Sequence, residues 1–213
     1  MSLIDLINKK TILPDASEAL KGREIEMEVP EKHFIKETQL KEPFPKKLEK
    51  ALFGMGCFWG VEKKFWELKG VYSTAVGYSG GETPNPSYKE VCSGMTGHNE
   101  AVLVIYDPKV ISFDNLLTIF WEEHDPTQGM RQGNDIGTQY RSGIYYFNEQ
   151  QKKKALETKE LYQQKLKIHG FSSISTEVIK VKEFYYAEHY HQQYLGKNPE
   201  GYCGIEGTGV TLF

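Results

Sequence analysis

Three cysteines in 213 residues is a sparse supply, and their positions, 57, 92 and 203, fit neither a disulfide scaffold nor a zinc site. A long chain with so few of them points to a reducing compartment. An excess of one charge is also missing: 26 basic against 29 acidic residues leave a formal net charge of −3, which makes no case for a nucleic-acid or membrane surface. No segment approaches the roughly 18 apolar residues of a membrane span. The first residues, Met1-Ser2-Leu3-Ile4-Asp5-Leu6-Ile7-Asn8, have an early acid, no basic region and no long apolar run, so no signal peptide is expected. The expectation is a cytoplasmic protein. There is no internal repeat and no low-complexity tract.

What is present is enough apolar material for a real core, 39% hydrophobic and 13% aromatic, and an unusual 13 tyrosines that fit amphipathic pocket or interface walls. The length predicts one domain with an appendage. Residues 1–48 read as an N-terminal extension: short helices at Ser2–Lys9 and Asp15–Leu20, then alternating Glu and Lys/Arg with scattered Ile25, Met27, Val29, Phe34, Ile35 and Phe44, broken by Pro30, Pro43 and Pro45. Residues 49–213 read as the body.

In the body, strands are predicted at Leu48–Met55, Val71–Tyr78, His98–Tyr106, Gly143–Phe147 and Thr176–Lys182. Helices are predicted at Cys57–Leu68, Ser87–Cys92, Phe113–His124 with Ser112 as cap, Glu149–Ile168 with Asn148 as cap, and Ala187–Tyr194. Asp125–Arg141 reads as a long polar loop, and Gly196–Phe213 as coil. Strands alternating with helices predict a two-layer α+β or α/β domain.

The stretch that organises the rest is Gly54-Met55-Gly56-Cys57-Phe58-Trp59-Gly60-Val61-Glu62, a strand, tight turn and helix start. It puts Cys57 in the first helical turn, where free N–H groups and the positive dipole end favour a thiolate and lower its pKa. The alternative is a buried structural cysteine. Phe58 and Trp59 beside it either pack or line a pocket. Glu100 shares a strand face with Val102 and Val104, with Ala101, Leu103 and Ile105 on the other, as on an inner strand. A carboxyl there is either desolvated, with a raised pKa, or solvated past the covered part of the strand.

Asp135 and Tyr140 belong to the loop, which is either a polar pocket or a self-bonded surface segment. Tyr88 follows Pro84-Asn85-Pro86-Ser87 and either aims at a site or staples the turn. His98, His124, His189 and His191 show no metal spacing and read as structural or solvated, with His189 and His191 facing different ways on a helix. Cys92 reads as a packed small hydrophobe. Cys203, flanked by Gly201 and Gly204 in a sparsely apolar tail, is either a surface thiol or a resolving cysteine for a reactive one.

A series of motifs then runs through residues 50–205: Gly56-Cys57-Phe58-Trp59-Gly60, Gly77-Tyr78-Ser79-Gly80-Gly81, Pro84-Asn85-Pro86-Ser87-Tyr88, Gly97-His98-Asn99-Glu100-Ala101-Val102 and His124-Asp125-Pro126-Thr127. It continues with Arg131-Gln132-Gly133-Asn134-Asp135, Gly137-Thr138-Gln139-Tyr140-Arg141-Ser142 and Ala187-Glu188-His189-Tyr190-His191-Gln192. In this order they closely resemble the peptide methionine sulfoxide reductase A family.

The resemblance implies a two-layer α/β sandwich on a mixed sheet with a ferredoxin-like core and a long C-terminal coil. It implies reduction of methionine (S)-S-oxide, free or in proteins, as protein repair under oxidative stress. Cys57 matches the nucleophile, Glu100 the acid, and Tyr88 and Tyr140 the phenols that bind the sulfoxide oxygen. Asp135 matches a pocket carboxylate, Phe58 and Trp59 the rings around the substrate methyl, and Cys203 the resolving cysteine. No cofactor or metal is implied; thioredoxin, or dithiothreitol in its place, is the external reductant, and a monomer is expected. One departure is that Ile205–Phe213 holds no further cysteine, with Thr211 in the region where many bacterial members have one. That favours a direct Cys57–Cys203 disulfide and leaves a part for Cys92 open. The rival readings are a thiol peroxidase and a non-catalytic module binding methionine-like side chains.

Overall fold

The structure, a computed structural model, describes residues 10–213; the helix expected at Ser2–Lys9 lies outside them. A six-stranded sheet runs through the body from β1 (Glu49–Met55), β2 (Val71–Ser79) and β3 (Asn99–Tyr106) to β6 (Ser142–Tyr146), β7 (Glu177–Lys180) and β8 (Phe184–Tyr186). Two short strands, β4 (Arg131–Gln132) and β5 (Asp135–Ile136), pair apart from it. The spatial order is β7-β6-β1-β3-β2-β8, antiparallel except for the parallel β6–β7 pair.

Its inner four strands, β6-β1-β3-β2, are the last, first, third and second strands of two split βαβ crossovers. That is the ferredoxin-like order, with α1 (Phe58–Trp66) linking β1 to β2 and α3 (Phe113–Glu122) lying between β3 and β6. A short α2 (Tyr88–Cys92) precedes β3, α4 (Glu149–Ile168) follows β6, and α5 (Tyr194–Lys197) closes the set.

β3 is buried along its whole length, and its alternation sorts the two faces of the sheet. Val102, Val104 and Tyr106 join the core under the helices, with Phe65, Phe120 and Trp121. Ala101, Leu103 and Ile105 join a smaller core on the other face, which takes Leu40, Val29 and Phe44 from the arm. Burying a leucine fully contributes about 1.5–3 kcal/mol, so Leu40, 1% exposed, anchors the arm. Capping fixes the helix starts. Ser87 with Glu90 and Ser112 with Asn115 form reciprocal capping boxes, and Asn148 Oδ1 accepts the Gln151 N–H. The tail after α5 is coil laid over α3 and α4, held where Val210 O accepts from Tyr162 Oη and Leu212 N–H donates to Glu122 Oε1.

Three expectations need correction. Asp15–Leu20 is a turn, with Ala19 N–H donating to Asp15 O, and no helix forms. Asp125–Arg141 is structured by β4, β5 and a 3-10 turn at Thr138–Tyr140. The helix expected at Ala187–Tyr194 is absent: β8 ends at Tyr186, irregular chain and turns fill the span, and helix begins only at Tyr194. The reason is tertiary. Gln192 uses its side-chain amide as a strand would use its backbone, accepting from Val76 N–H at 3.0 Å and donating to Val76 O and Ala187 O at 2.8 Å.

Candidate active site

The site is built at the end of β1. Gly56, at φ +91°, turns the chain out of the strand in a conformation that L side chains rarely adopt, and a Cβ there would meet Gln132 at 2.6 Å. Cys57 is thereby the N-cap of α1, half-buried, with the Trp59 N–H aimed at its sulfur. The dipole argument from the sequence is present in the geometry but loses the balance. Burial, then the Glu100 carboxylate, push the Cys57 thiol well above its ordinary value, and the Trp59 N–H only partly opposes them. Were Glu100 neutral, the second of these causes would vanish.

Glu100 is 1% exposed, and its Oε2 accepts the Phe58 N–H at 3.1 Å, one of the free donors at the start of α1. Burial pushes its carboxyl up to about 8, with the Asp135 charge adding to the rise, so at pH 7 it is mostly a neutral acid. The solvated alternative for Glu100 is therefore ruled out. Tyr88 and Tyr140 face the same carboxyl. Burial first, and the Glu100 charge second, raise both phenols beyond their usual range, leaving them as O–H donors at any physiological pH. Tyr88 opens α2 behind the Ser87 cap, and Tyr140 comes from the 3-10 turn.

Asp135, on β5, accepts a hydrogen bond from Tyr202 Oη at 3.3 Å, and burial raises its pKa. Phe58 is 1% exposed, its ring 6.0 Å from Tyr78 and 5.2 Å from His191. Trp59 stacks on Tyr194 at 4.0 Å and 18° and donates from Nε1 to His191 Nδ1 at 3.0 Å. Cys203 is exposed in the tail, and its Sγ sits over Gly60, so close that a Cβ there would lie 2.8 Å from it. Cys57 and Gly60 are three residues apart on one helix and share a face. All three cysteines are free.

With an acid, two phenols, aromatic walls and two thiols around one helix start, the likeness to known proteins can be set beside the geometry. A family model described as peptide methionine sulfoxide reductase matches residues 49–210. Peptide methionine sulfoxide reductase MsrA 1 of Synechocystis sp. is 60% identical over 210 residues, 99% of this chain and 95% of its own length. This chain belongs to the peptide methionine sulfoxide reductase A family. Methionine sulfoxide reductase A of Corynebacterium diphtheriae superposes with a TM-score of 0.85 at 46% identity, covering 90% of this chain and 93% of that one. Reduced Mxr1 from Saccharomyces cerevisiae reaches 0.71 at 38% identity over 76% of this chain and 92% of its own; Mxr1 has also been solved in complex with Trx2.

As a member of the methionine sulfoxide reductase A family, the protein is an oxidoreductase that reduces methionine sulfoxide. Sequence reasoning missed His191. It lies on turns between β8 and α5, 2% exposed, and touches Phe58, Trp59 and Tyr88. Burial lowers its pKa to about 4, so it is neutral; with Nδ1 accepting from Trp59, Nε2 carries the hydrogen. Glu188 stands 4.0 Å from that nitrogen and also accepts from Tyr78 Oη and Tyr88 N–H, tying α2 to this segment. The signal was the aromatic density of Tyr185–Tyr194 around two histidines.

Cys92 is also closer to the site than a packed hydrophobe would be: half-buried, it hydrogen-bonds with Tyr88 and feels the Glu100 charge. His98 and His124 are buried structural groups. His98 Nδ1 accepts the Gly81 N–H, and His124 Nε2 pairs with Ser142 Oγ at 2.7 Å. No group of three metal-ligating side chains occurs among the described residues.

Proposed function

We propose that the protein reduces methionine (S)-S-oxide, free and in oxidised proteins, with Cys57 as nucleophile and Glu100 as acid. The observation that carries this reading is a buried carboxyl, mostly protonated at neutral pH, bonded to the backbone N–H of the residue after Cys57. A sulfoxide sulfur becomes electrophilic when its oxygen is protonated or strongly hydrogen-bonded. Glu100 supplies the proton, and Tyr88 and Tyr140 supply phenol donors to the same oxygen. Cys57 sulfur attacks the sulfoxide sulfur and the oxygen is transferred to Cys57, leaving a sulfenic acid and methionine. The proton given by Glu100 stays on the sulfenic oxygen, and the proton lost by the Cys57 thiol restores Glu100. Phe58 and Trp59 hold the substrate methyl, worth about 1–3 kcal/mol of discrimination, and Asp135 binds the substrate's polar part.

The Cys203 thiol then condenses with the Cys57 sulfenic acid, releasing water and forming a disulfide. Its seat over Gly60, on the Cys57 face of α1, supports that step. The two thiols supply both electrons, so the cycle calls for no cofactor, only an external dithiol. Thioredoxin is the proposed reductant, with the Mxr1–Trx2 complex as precedent within the family and an open cavity of about 580 Å³ beside Cys203, lined by Asp125, Gln132 and Tyr202 among others, for its approach. The catalytic unit is residues 49–213 with the tail included, residues 1–48 are an extension of which residues 10–48 pack on it, and the working form is a cytoplasmic monomer.

The test is turnover by variants of the reduced enzyme. Cys57→Ser abolishes methionine formation, whereas Cys203→Ser keeps one equivalent per enzyme and loses recycling by thioredoxin. Full multiple turnover by Cys203→Ser with thioredoxin would remove Cys203 from the cycle.

A further inference from the structure

Glu62 lies on α1 five residues after Cys57, and no step of the chemistry above uses it. It is 0% exposed, and three donors converge on its carboxylate. Thr74 Oγ1 donates to Oε1 at 2.9 Å, Gln193 Nε2 to Oε1 at 2.7 Å, and Gln193 N–H to Oε2 at 2.8 Å. The direction of this chain is fixed at its far end, in the arm. His33 Nδ1 accepts the backbone N–H groups of Ile35 and Lys36, each at 3.1 Å, so its hydrogen is on Nε2, 2.9 Å from Thr74 Oγ1. Thr74 accepts from His33 and must donate onward to Glu62.

His33, Thr74 and Gln193 are each at most 1% exposed. The arm also grips Gln193 directly, through Phe34 N–H to its Oε1 at 3.1 Å, and Ile35 packs on Gly196. Gln193 sits at φ +49° between His191 and Tyr194, the two residues that hold the Trp59 indole by hydrogen bond and stacking.

A buried carboxylate is a poor source of net stability. Burial pushes the Glu62 carboxyl up to about 7, against the downward pull of the Gln193 and Thr74 donors. What the ionised form supplies is direction, since it accepts from three donors at once, whereas an amide in its place would turn an N–H against the Gln193 N–H. Losing any one member leaves another group buried and unpaired, which is the costly outcome.

We propose that Glu62 is a positioning residue for the substrate pocket, and that the N-terminal arm, through His33 and Thr74, completes the network that holds Gln193 and with it Tyr194 and Trp59. This rests on Trp59 being a wall of the pocket. The residues 10–48 that look like an accessory extension are then part of what shapes the site.

Thr74 gives the cleanest probe because Val is nearly isosteric with it and Ser keeps the hydroxyl. Steady-state KM and kcat for dabsylated L-methionine (S)-S-oxide would be measured with Thr74→Val, Thr74→Ser, His33→Ala and Trp59→Ala in the full chain. Thr74→Val is expected to raise KM about tenfold, the factor one net hydrogen bond to a charged group commands, with kcat within about twofold. Thr74→Ser should restore KM, and adding His33→Ala to Thr74→Val should raise KM no further.

Unchanged KM in Thr74→Val, equal KM in Thr74→Val and Thr74→Ser, or additive effects of Thr74→Val and His33→Ala would each overturn the network. If Thr74→Val fails to fold, His33→Ala alone with raised KM and unchanged kcat supports the proposal, and an unchanged KM overturns it. Should Trp59→Ala leave KM unchanged, the pocket reading itself fails, and the network loses its object with it. A raised KM in Trp59→Ala beside an unchanged KM in Thr74→Val would sink the network alone.

Discussion

The surroundings of Glu100 make it a poor anion, as the proposed acid role requires, and that has a stability signature. Its folded pKa, about 8, lies above the ordinary 4.5, so the favourable contribution of its neutral form is fully present below about 4.5 and is lost as pH rises through about 8. Glu100→Gln keeps an acceptor for the Phe58 N–H and removes that loss. The variant should melt above wild type at pH 9, by about 2–4 °C for each kcal/mol recovered, with the gap closing at pH 5. Its reductase step should slow by about 10²–10⁴, the usual contribution of a general acid. Wild-type single-turnover rates should also fall as pH passes about 8 and Glu100 loses its proton. A flat profile to pH 9.5 would exclude Glu100 as the acid.

Gly60→Ala is the second test at this scale. The added methyl claims the space of Cys203 Sγ, so methionine release should be preserved while sulfenic acid, trapped by dimedone, accumulates. These residues could be picked out as candidates from the sequence, because motif and spacing are local. It did not carry the sign of the Cys57 shift, because the helix terminus is written in the chain while desolvation and the Glu100 charge come from a strand 43 residues away.

At the scale of elements, segments whose ends are capped by their own neighbours were legible: α4 begins behind Asn148 and α3 behind Ser112 as expected. Ser87 does the same for α2 and thereby aims Tyr88. Ser87→Ala should cost about 1 kcal/mol of stability and raise KM as Tyr88 loses its fixed start, which melting curves and steady-state kinetics would read together. The segment after β7 was not legible. Its aromatic spacing mimics a helix, but Gln192 pairs with Val76 on β2, and nothing local in the sequence announces that partner. His191 was passed over for the same reason: its role comes from Trp59, far away in sequence.

At the scale of the molecule, the sheet has two covered faces, one by helices and one by the arm. Leu40→Ala in the arm should therefore cost about 2–5 kcal/mol, as a core truncation does, although residues 21–50 look polar in sequence. A cost below about 0.5 kcal/mol by denaturant melts would show the arm to be loosely held. The mixed sheet with its ferredoxin-like order was legible through the family resemblance. The arm's cover was not, because its apolar residues follow no period.

The central claim is that one thiol takes the oxygen and a second closes the cycle. Fully reduced protein mixed with dabsylated L-methionine (S)-S-oxide, without added reductant, tests it directly by methionine formed and thiols lost per enzyme. The account predicts one equivalent of methionine, two thiols lost, and no reaction with the (R) epimer. No methionine from fully reduced wild type, or equal turnover of both epimers, would contradict it.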